Sequence, residues 1–224
     1  MGDVVTIASS STEAMSDDEL NEASQRLTES ERQRARSIRL ERPLRAFVVG
    51  RLLLRSTVAR IAGVPPDEVG IELEPTGRPV LTGALSHYFV SIAHSGYYVV
   101  VGIAQRQIGV DVEQLRQSAP SPRLMARVCS PEELRLLEGM TEADRAAAFM
   151  TVWARKEAYG KAIGRGLDFP LCSVTVGVGE STISGGTDEW RAADVDIDPR
   201  YAAAVVAAGV DWHVRLDRVT RATL

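Results

Sequence analysis

Three clusters in this chain have the residue types and spacing that chemistry needs. The first is Trp153-Ala-Arg-Lys156-Glu157-Ala-Tyr-Gly-Lys161. On a helix, Trp153, Glu157 and Lys161 fall at i, i+4 and i+8, which sets a ring, a carboxylate and an ammonium on one face. Of the 26 lysines and arginines, Lys156 and Lys161 are the only lysines. Lysine is a compact ammonium that can give up a proton, whereas arginine stays charged. A site explains both lysines, and so does a composition biased toward arginine. The second cluster is Ile108-Gly-Val-Asp111-Val-Glu113. On a strand, Asp111 and Glu113 share a face while Val110 and Val112 take the other. Two adjacent carboxylates are costly to bury unless a cation lies between them, and hard oxygen ligands suit Mg²⁺. An isolated pair of this kind is more often two solvated acids, but Glu157 adds a third carboxylate. The third cluster, Ser91-Ile-Ala-His94-Ser95-Gly96, offers side-chain and backbone donors at a turn, where a phosphate can bind. A Ser–His hydrolase pair is a poorer reading, because neighbours in sequence rarely face one another and no G-x-S-x-G elbow is present.

The hydrophobic periodicity predicts the elements that must position these groups. A short helix is expected at Asp17–Leu27. Thr28-Glu-Ser-Glu31 has the pattern of a helix cap with its box partner, opening an arginine-rich helix. A longer helix over about 43–62 stops at Gly63 and two prolines. Strands are expected at 69–74, 89–93, 97–104 and 107–114, with His94-Ser95-Gly96 as a hairpin turn. Helices at 122–128, 131–139 and 144–163 follow, then strands at 171–178, 190–197 and 201–208.

Ile61-Ala-Gly63 is echoed by Ala162-Ile-Gly164, and Tyr98-Val-Val-Val-Gly102 by Tyr201-Ala-Ala-Ala-Val205, each about 100 residues on. That offset points to two similar α/β halves with a site at their seam.

With 224 residues and 45% hydrophobic content, the chain can bury a real core. A net charge of −4 gives no basic field for nucleic acid. Arginines 32, 34, 36, 39, 42, 45, 51, 55 and 60, against the single acid Glu41, nonetheless make a locally basic surface that suits phosphate or an acidic partner. Cys129 and Cys172 lie far apart in the sequence and give no metal-ligand spacing, as expected of a reduced cytoplasmic protein. No apolar run approaches a membrane span. The residues alone lead as far as an α/β protein that binds Mg²⁺ and phosphate.

Gly77-Arg78-Pro79, Ser91–Gly96, Ile108–Glu113 and Phe149–Leu167, in that order, resemble the 4′-phosphopantetheinyl transferases of the surfactin-synthetase-activating (Sfp) type. The resemblance covers about two-thirds of the chain. It implies an α+β (α/β) fold, a pseudo-two-fold tandem of halves 1–106 and 107–224 with the active site in the cleft between them. The implied reaction carries phosphopantetheine from coenzyme A to a serine of an acyl or peptidyl carrier protein. By the same resemblance Asp111, Glu113 and Glu157 hold Mg²⁺ (or Mn²⁺), and Glu157 takes the serine proton. Lys161 neutralises or protonates the leaving bisphosphate. Lys156, His94 and Ser95 contact CoA phosphate, Arg78 flanks the adenine, and Arg45 and Arg51 meet the 3′-phosphate. Ala93 and Glu31 depart from the family pattern. A basic and apolar segment with Arg116, Arg123, Leu124, Met125, Arg127 and Val128 suits docking of the carrier, and core packing of the same Leu, Met and Val is at least as good a reading. A monomer without nucleic-acid or membrane partners is expected. The alternative is an inactive CoA-binding or carrier-docking module.

Overall fold

The computed structural model describes residues 3–116, 118, 120–166, 169–178, 183–186 and 189–224. Leu167 of the fourth motif, and residues 117 and 119 of the segment expected to dock the carrier, lie outside this set. Among the described residues nine strands and six α-helices follow in the order β1 (Asp3–Ser11), α1 (Asp17–Gln25), α2 (Glu29–Ser37), α3 (Glu41–Ala62), β2 (Ile71–Leu73), β3 (Pro79–Leu81), β4 (Phe89–Ser95), β5 (Tyr98–Ala104), β6 (Ile108–Gln114), α4 (Pro122–Val128), α5 (Pro131–Glu138), α6 (Glu142–Ala162), β7 (Trp190–Asp194), β8 (Tyr201–Ala208) and β9 (Trp212–Arg218). Among the described residues no helix is long and apolar enough to cross a membrane.

Local chemistry sets the helix ends. Thr28 caps α2 in a full capping box with Glu31, and Ser16 and Ser130 cap α1 and α5 in the same way. The two long helices stop at glycines in the left-handed region, Gly63 at φ 70° and Gly164 at φ 74°.

The strands form two principal sheets. One has the order β4-β5-β1-β9 and is packed by α3; the other has the order β6-β8-β7 and is packed by α6. A third apolar cluster, including Val5, Ile7, Val110 and Val205, lies between them.

The helix-and-sheet content is of the expected mixed class, but several strands differ from expectation. The pattern missed β1, which pairs antiparallel with β5 and parallel with β9. It also missed β9, so the last strand of residues 107–224 is hydrogen-bonded into the sheet of residues 1–106. The strand expected at 171–178 is instead a turn of 3₁₀ helix at Leu171–Ser173 followed by one bridge, Thr175 to Ser184. The two sheets also differ in strand order, so the topology does not by itself establish a tandem repeat.

Candidate active site

A glycine lets β6 and α6 approach closely. A Cβ on Gly109 would overlap the Ala158 carbonyl and lie 2.5 Å from the Ala162 nitrogen, so only a glycine fits there. This contact brings Asp111 and Glu113 of β6 beside Glu157 and Lys161 of α6. Lys161 Nζ donates to Asp111 Oδ1 at 2.6 Å and to the Val110 carbonyl at 3.1 Å. Asp111 is 6% exposed, and its Oδ2 has no hydrogen-bond partner; Glu157 Oε1 is also buried and unpartnered.

Burial pushes the Asp111 carboxyl up to about 6, against the pull of the Lys161 ammonium, and the charges of Glu113 and Glu157 push it further the same way. Burial raises Glu157 as well, again opposed by Lys161.

The second side of the site comes from β4, whose hydroxyls bridge it to β6. Ser91 Oγ accepts from the Val110 N–H at 3.1 Å, and Ser95 Oγ accepts from the Gln114 N–H at 3.2 Å. Ser95 donates its own proton to Glu113 Oε2 at 3.1 Å. Between these serines stands His94, exposed as a residue but with a crowded ring. That desolvation, and next the Lys161 ammonium, lower its pKa, so the free imidazole is neutral near pH 7. A cleft of about 430 Å³ opens beside these groups, lined by Arg78, Ser91, Ile92, Lys161, Arg165 and the glycines around them. Arg78 and Lys161 thus bring cationic side chains from the two halves of the sequence to one cavity.

Other expected residues are engaged elsewhere. Lys156 is 0% exposed, and its ammonium donates to Glu133 Oε2 at 2.7 Å and to the carbonyls of Leu171 at 2.8 Å and Val174 at 2.6 Å. All three of its protons have acceptors inside the core, so in this structure the ammonium is paired with Glu133 and does not line the cleft. Arg45 bonds the Met15 carbonyl, Asp17 Oδ1 at 2.8 Å and Glu41 Oε1 at 2.7 Å. Arg51 is buried against Phe47, with its Nε 4.0 Å from Glu31 Oε1. Neither lines the cleft. The apolar anchors Met125 and Val128 are core residues and not a docking surface. Leu124 and Arg116 do line a second cavity, of about 260 Å³, together with Glu113, Phe149, Met150 and Trp153.

Sequence reasoning passed over the positioning roles of Ser91 and Gly109. Ser91 opens the motif that was read for its histidine, and its hydroxyl caps a backbone N–H. Gly109 follows Ile108 in a strand, and an isolated glycine there signals a close backbone approach.

Among the described residues no group of three or more His, Cys, Asp or Glu side chains is gathered to hold an ion as it stands. Two carboxylates have other partners: Lys161 holds Asp111, and Ser95 holds Glu113. The donor set nevertheless fits a hard divalent cation. It offers three mutually repelling carboxylates, two of which have a buried oxygen that no donor reaches.

Comparison with known proteins agrees with this geometry. Residues 107–206 match the family model of the 4′-phosphopantetheinyl transferase superfamily, and residues 14–106 match that of the 4′-phosphopantetheinyl transferase N-terminal domain. The chain is similar to 4′-phosphopantetheinyl transferase HetI of Nostoc sp., 29% identical with 87% of this chain and 84% of the relative covered. A Synechocystis sp. protein described as a 4′-phosphopantetheinyl transferase is 31% identical, with coverage of 72% and 70%. 4′-Phosphopantetheinyl transferase Sfp of Bacillus subtilis is 26% identical, with coverage of 74% and 75%. Two adjoining family matches that meet where β5 leads into β6, and a relative above 30% identity over most of its length, show that this chain belongs to the 4′-phosphopantetheinyl transferase superfamily.

Proposed function

We propose that the chain transfers the 4′-phosphopantetheine group of coenzyme A to a serine of an acyl or peptidyl carrier protein, with Mg²⁺ held by Asp111, Glu113 and Glu157. The observation that carries this reading is the convergence of those carboxylates with Lys161 beside a cleft that Arg78 also lines. When bound, the metal would screen the phosphate charge that repels a nucleophile.

The chain's own residues supply the remaining steps. Glu157, made more basic by burial, takes the proton of the carrier serine. The serine oxygen then forms a bond to the phosphorus that bears pantetheine. The phosphoanhydride bond to the nucleotide breaks, and adenosine 3′,5′-bisphosphate leaves. Lys161 faces the cleft and neutralises the charge that develops on the leaving group. His94 donates to a CoA phosphate, and Arg78 flanks the adenine.

A pseudo-two-fold relation between the halves is supported by the two long glycine-terminated helices, each backing its own sheet. A chain that carries both halves needs no second copy to build the seam, so we infer a monomer. Two free cysteines suit a cytoplasmic setting. The inactive-module alternative gains no support, because Asp111, Glu113, Glu157 and Lys161 are all in place.

The test is intact-protein mass spectrometry of an apo carrier incubated with the chain, CoA and Mg²⁺. A gain of one phosphopantetheine that chelation or Glu157→Ala abolishes is the expected result. No gain across several unrelated carriers, with CoA binding intact, would sink the assignment.

A further inference from the structure

Tyr201, at the start of β8, is a buried polar side chain at the seam to which the proposed reaction gives no task; it is 7% exposed. Its hydroxyl accepts the N–H of Tyr97 at 3.2 Å, reaching across to the tip of the β4–β5 hairpin. Its ring meets that of Tyr98 edge-on, with centroids 4.9 Å apart and planes at 62°. Gly96, at φ 55°, lies against the same hydroxyl: a Cβ there would overlap Tyr201 Oη and lie 3.0 Å from Gln114 Oε1. Gln114 is the residue opposite Tyr201 in the β6–β8 register. The hairpin tip is therefore seated on a tyrosine hydroxyl, with no room for a side chain at Gly96. The residue before Gly96 is Ser95, whose hydroxyl joins Glu113 and the Gln114 N–H, and before it comes His94.

We infer that Tyr201 is a positioning residue for the transferase site: by fixing the Ser95–Tyr97 tip it sets where the Glu113 carboxylate and the His94 ring stand, and so tunes metal and CoA affinity while touching neither. The inference rests on the roles proposed above for Glu113 and His94.

The test uses the full chain and measures Mn²⁺ and CoA binding by calorimetry, with melting temperature and the split between kcat and KM alongside. Tyr201→Phe keeps the ring against Tyr98 and removes one hydrogen bond. It should weaken Mn²⁺ and CoA by about fivefold each, with kcat at saturation within about twofold of the starting value. Gly96→Ala drives a methyl into the hydroxyl and should cost about tenfold in both affinities. In the double variant the hydroxyl that the methyl strikes is gone, so that one clash is relieved, while the φ of 55° and the contact with Gln114 Oε1 remain. Its losses should therefore fall well short of the product of the two single losses. Single losses that multiply in the double variant would overturn the inference. A lower melting temperature for Tyr201→Phe with both affinities unchanged would also overturn it, and would leave Tyr201 a packing residue only. An unsubstituted chain that bound neither CoA nor Mn²⁺ would overturn the transferase reading itself, and this inference with it.

Discussion

Lys156 and Lys161 lie within a turn and a half of each other on α6, each against a carboxylate, yet their surroundings differ in kind. Lys156 is fully buried, and each of its three protons has an oxygen acceptor within 2.8 Å. Its partner Glu133 is satisfied in turn: it also caps α5 through the Ser130 N–H at 2.8 Å and accepts from the Val176 N–H at 2.7 Å. Lys161 keeps 29% of its side chain exposed and meets Asp111, whose second oxygen has no partner, close to the equally unpartnered Glu157 Oε1. The first is a finished network that joins α5, α6 and the 171–176 segment. The second is short of donors, with two buried carboxylate oxygens that none reaches. What separates structure from function here is whether the hydrogen bonds are complete, and not the residue type.

The largest effect should come from breaking the finished network. Lys156→Met leaves Glu133 charged and unpaired in the core, at a cost of about 3–5 kcal/mol, read as a lower urea midpoint. A double variant, Lys156→Met with Glu133→Gln, removes the stranded charge and should recover part of that loss. If Lys156→Met instead kept full stability and lost transfer activity, the contrast between the two lysines would collapse.

Lys161→Met should do the reverse. It removes the ammonium proposed to neutralise the leaving group and should lower kcat by about 100-fold. Its melting temperature should fall by less than that of Lys156→Met, because the ammonium is 29% exposed and Asp111, whose carboxyl already stands at about 6, can take up a proton once its partner is gone. A drop in stability as large as that of Lys156→Met would place Lys161 in the structural class.

The sequence displayed the second lysine's role better than the first's. Glu157 and Lys161 share a helical face, and Asp111 and Glu113 share a strand face, so both alignments follow from local periodicity. The partner of Lys156 lies 23 residues earlier in the chain, on another helix. The Ser130–Glu133 capping box is legible there, but no local pattern says which ammonium will meet that glutamate. The same limit applies to Arg45, whose partners Met15 and Asp17 reach it through the packing of α1 on α3. β1 was missed for another reason: Ala8-Ser-Ser-Ser11 is too polar to look like a central strand, although β5 and β9 flank it. β9 did carry a signal, Trp212, Val214 and Leu216 alternating with His213, Arg215 and Asp217, which is the period of a half-buried strand.

Asp111→Asn sharpens the comparison from the side of the acid. In the metal-free chain at pH 7.5 it replaces a buried, partly unpartnered carboxylate with a neutral amide. The melting temperature should rise by about 2–4 °C, while calorimetric Mn²⁺ binding is lost. A site residue whose removal stabilises the fold is the opposite of Glu133, and a fall in melting temperature would refute the reading of Asp111 as a strained group.

The smallest effect is a change of slope with pH. The Asp111 carboxyl stands at about 6 in the folded chain against an ordinary 3.8, so the folded state holds a proton that the unfolded chain releases at lower pH. Where the folded state binds more protons, stability falls as pH rises. The metal-free chain should therefore lose stability between about pH 4 and 6, with Glu157, raised in the same direction, adding to the trend. A divalent cation needs the ionised carboxylates, so Mn²⁺ affinity should follow the opposite course and weaken as pH drops below about 6. The stabilisation Mn²⁺ confers should accordingly be larger at pH 7.5 than at pH 5. Asp111→Asn should flatten the metal-free slope in that window. A slope that survived the substitution unchanged would assign the titration to another group and separate the unpartnered oxygen from the pH behaviour of the site.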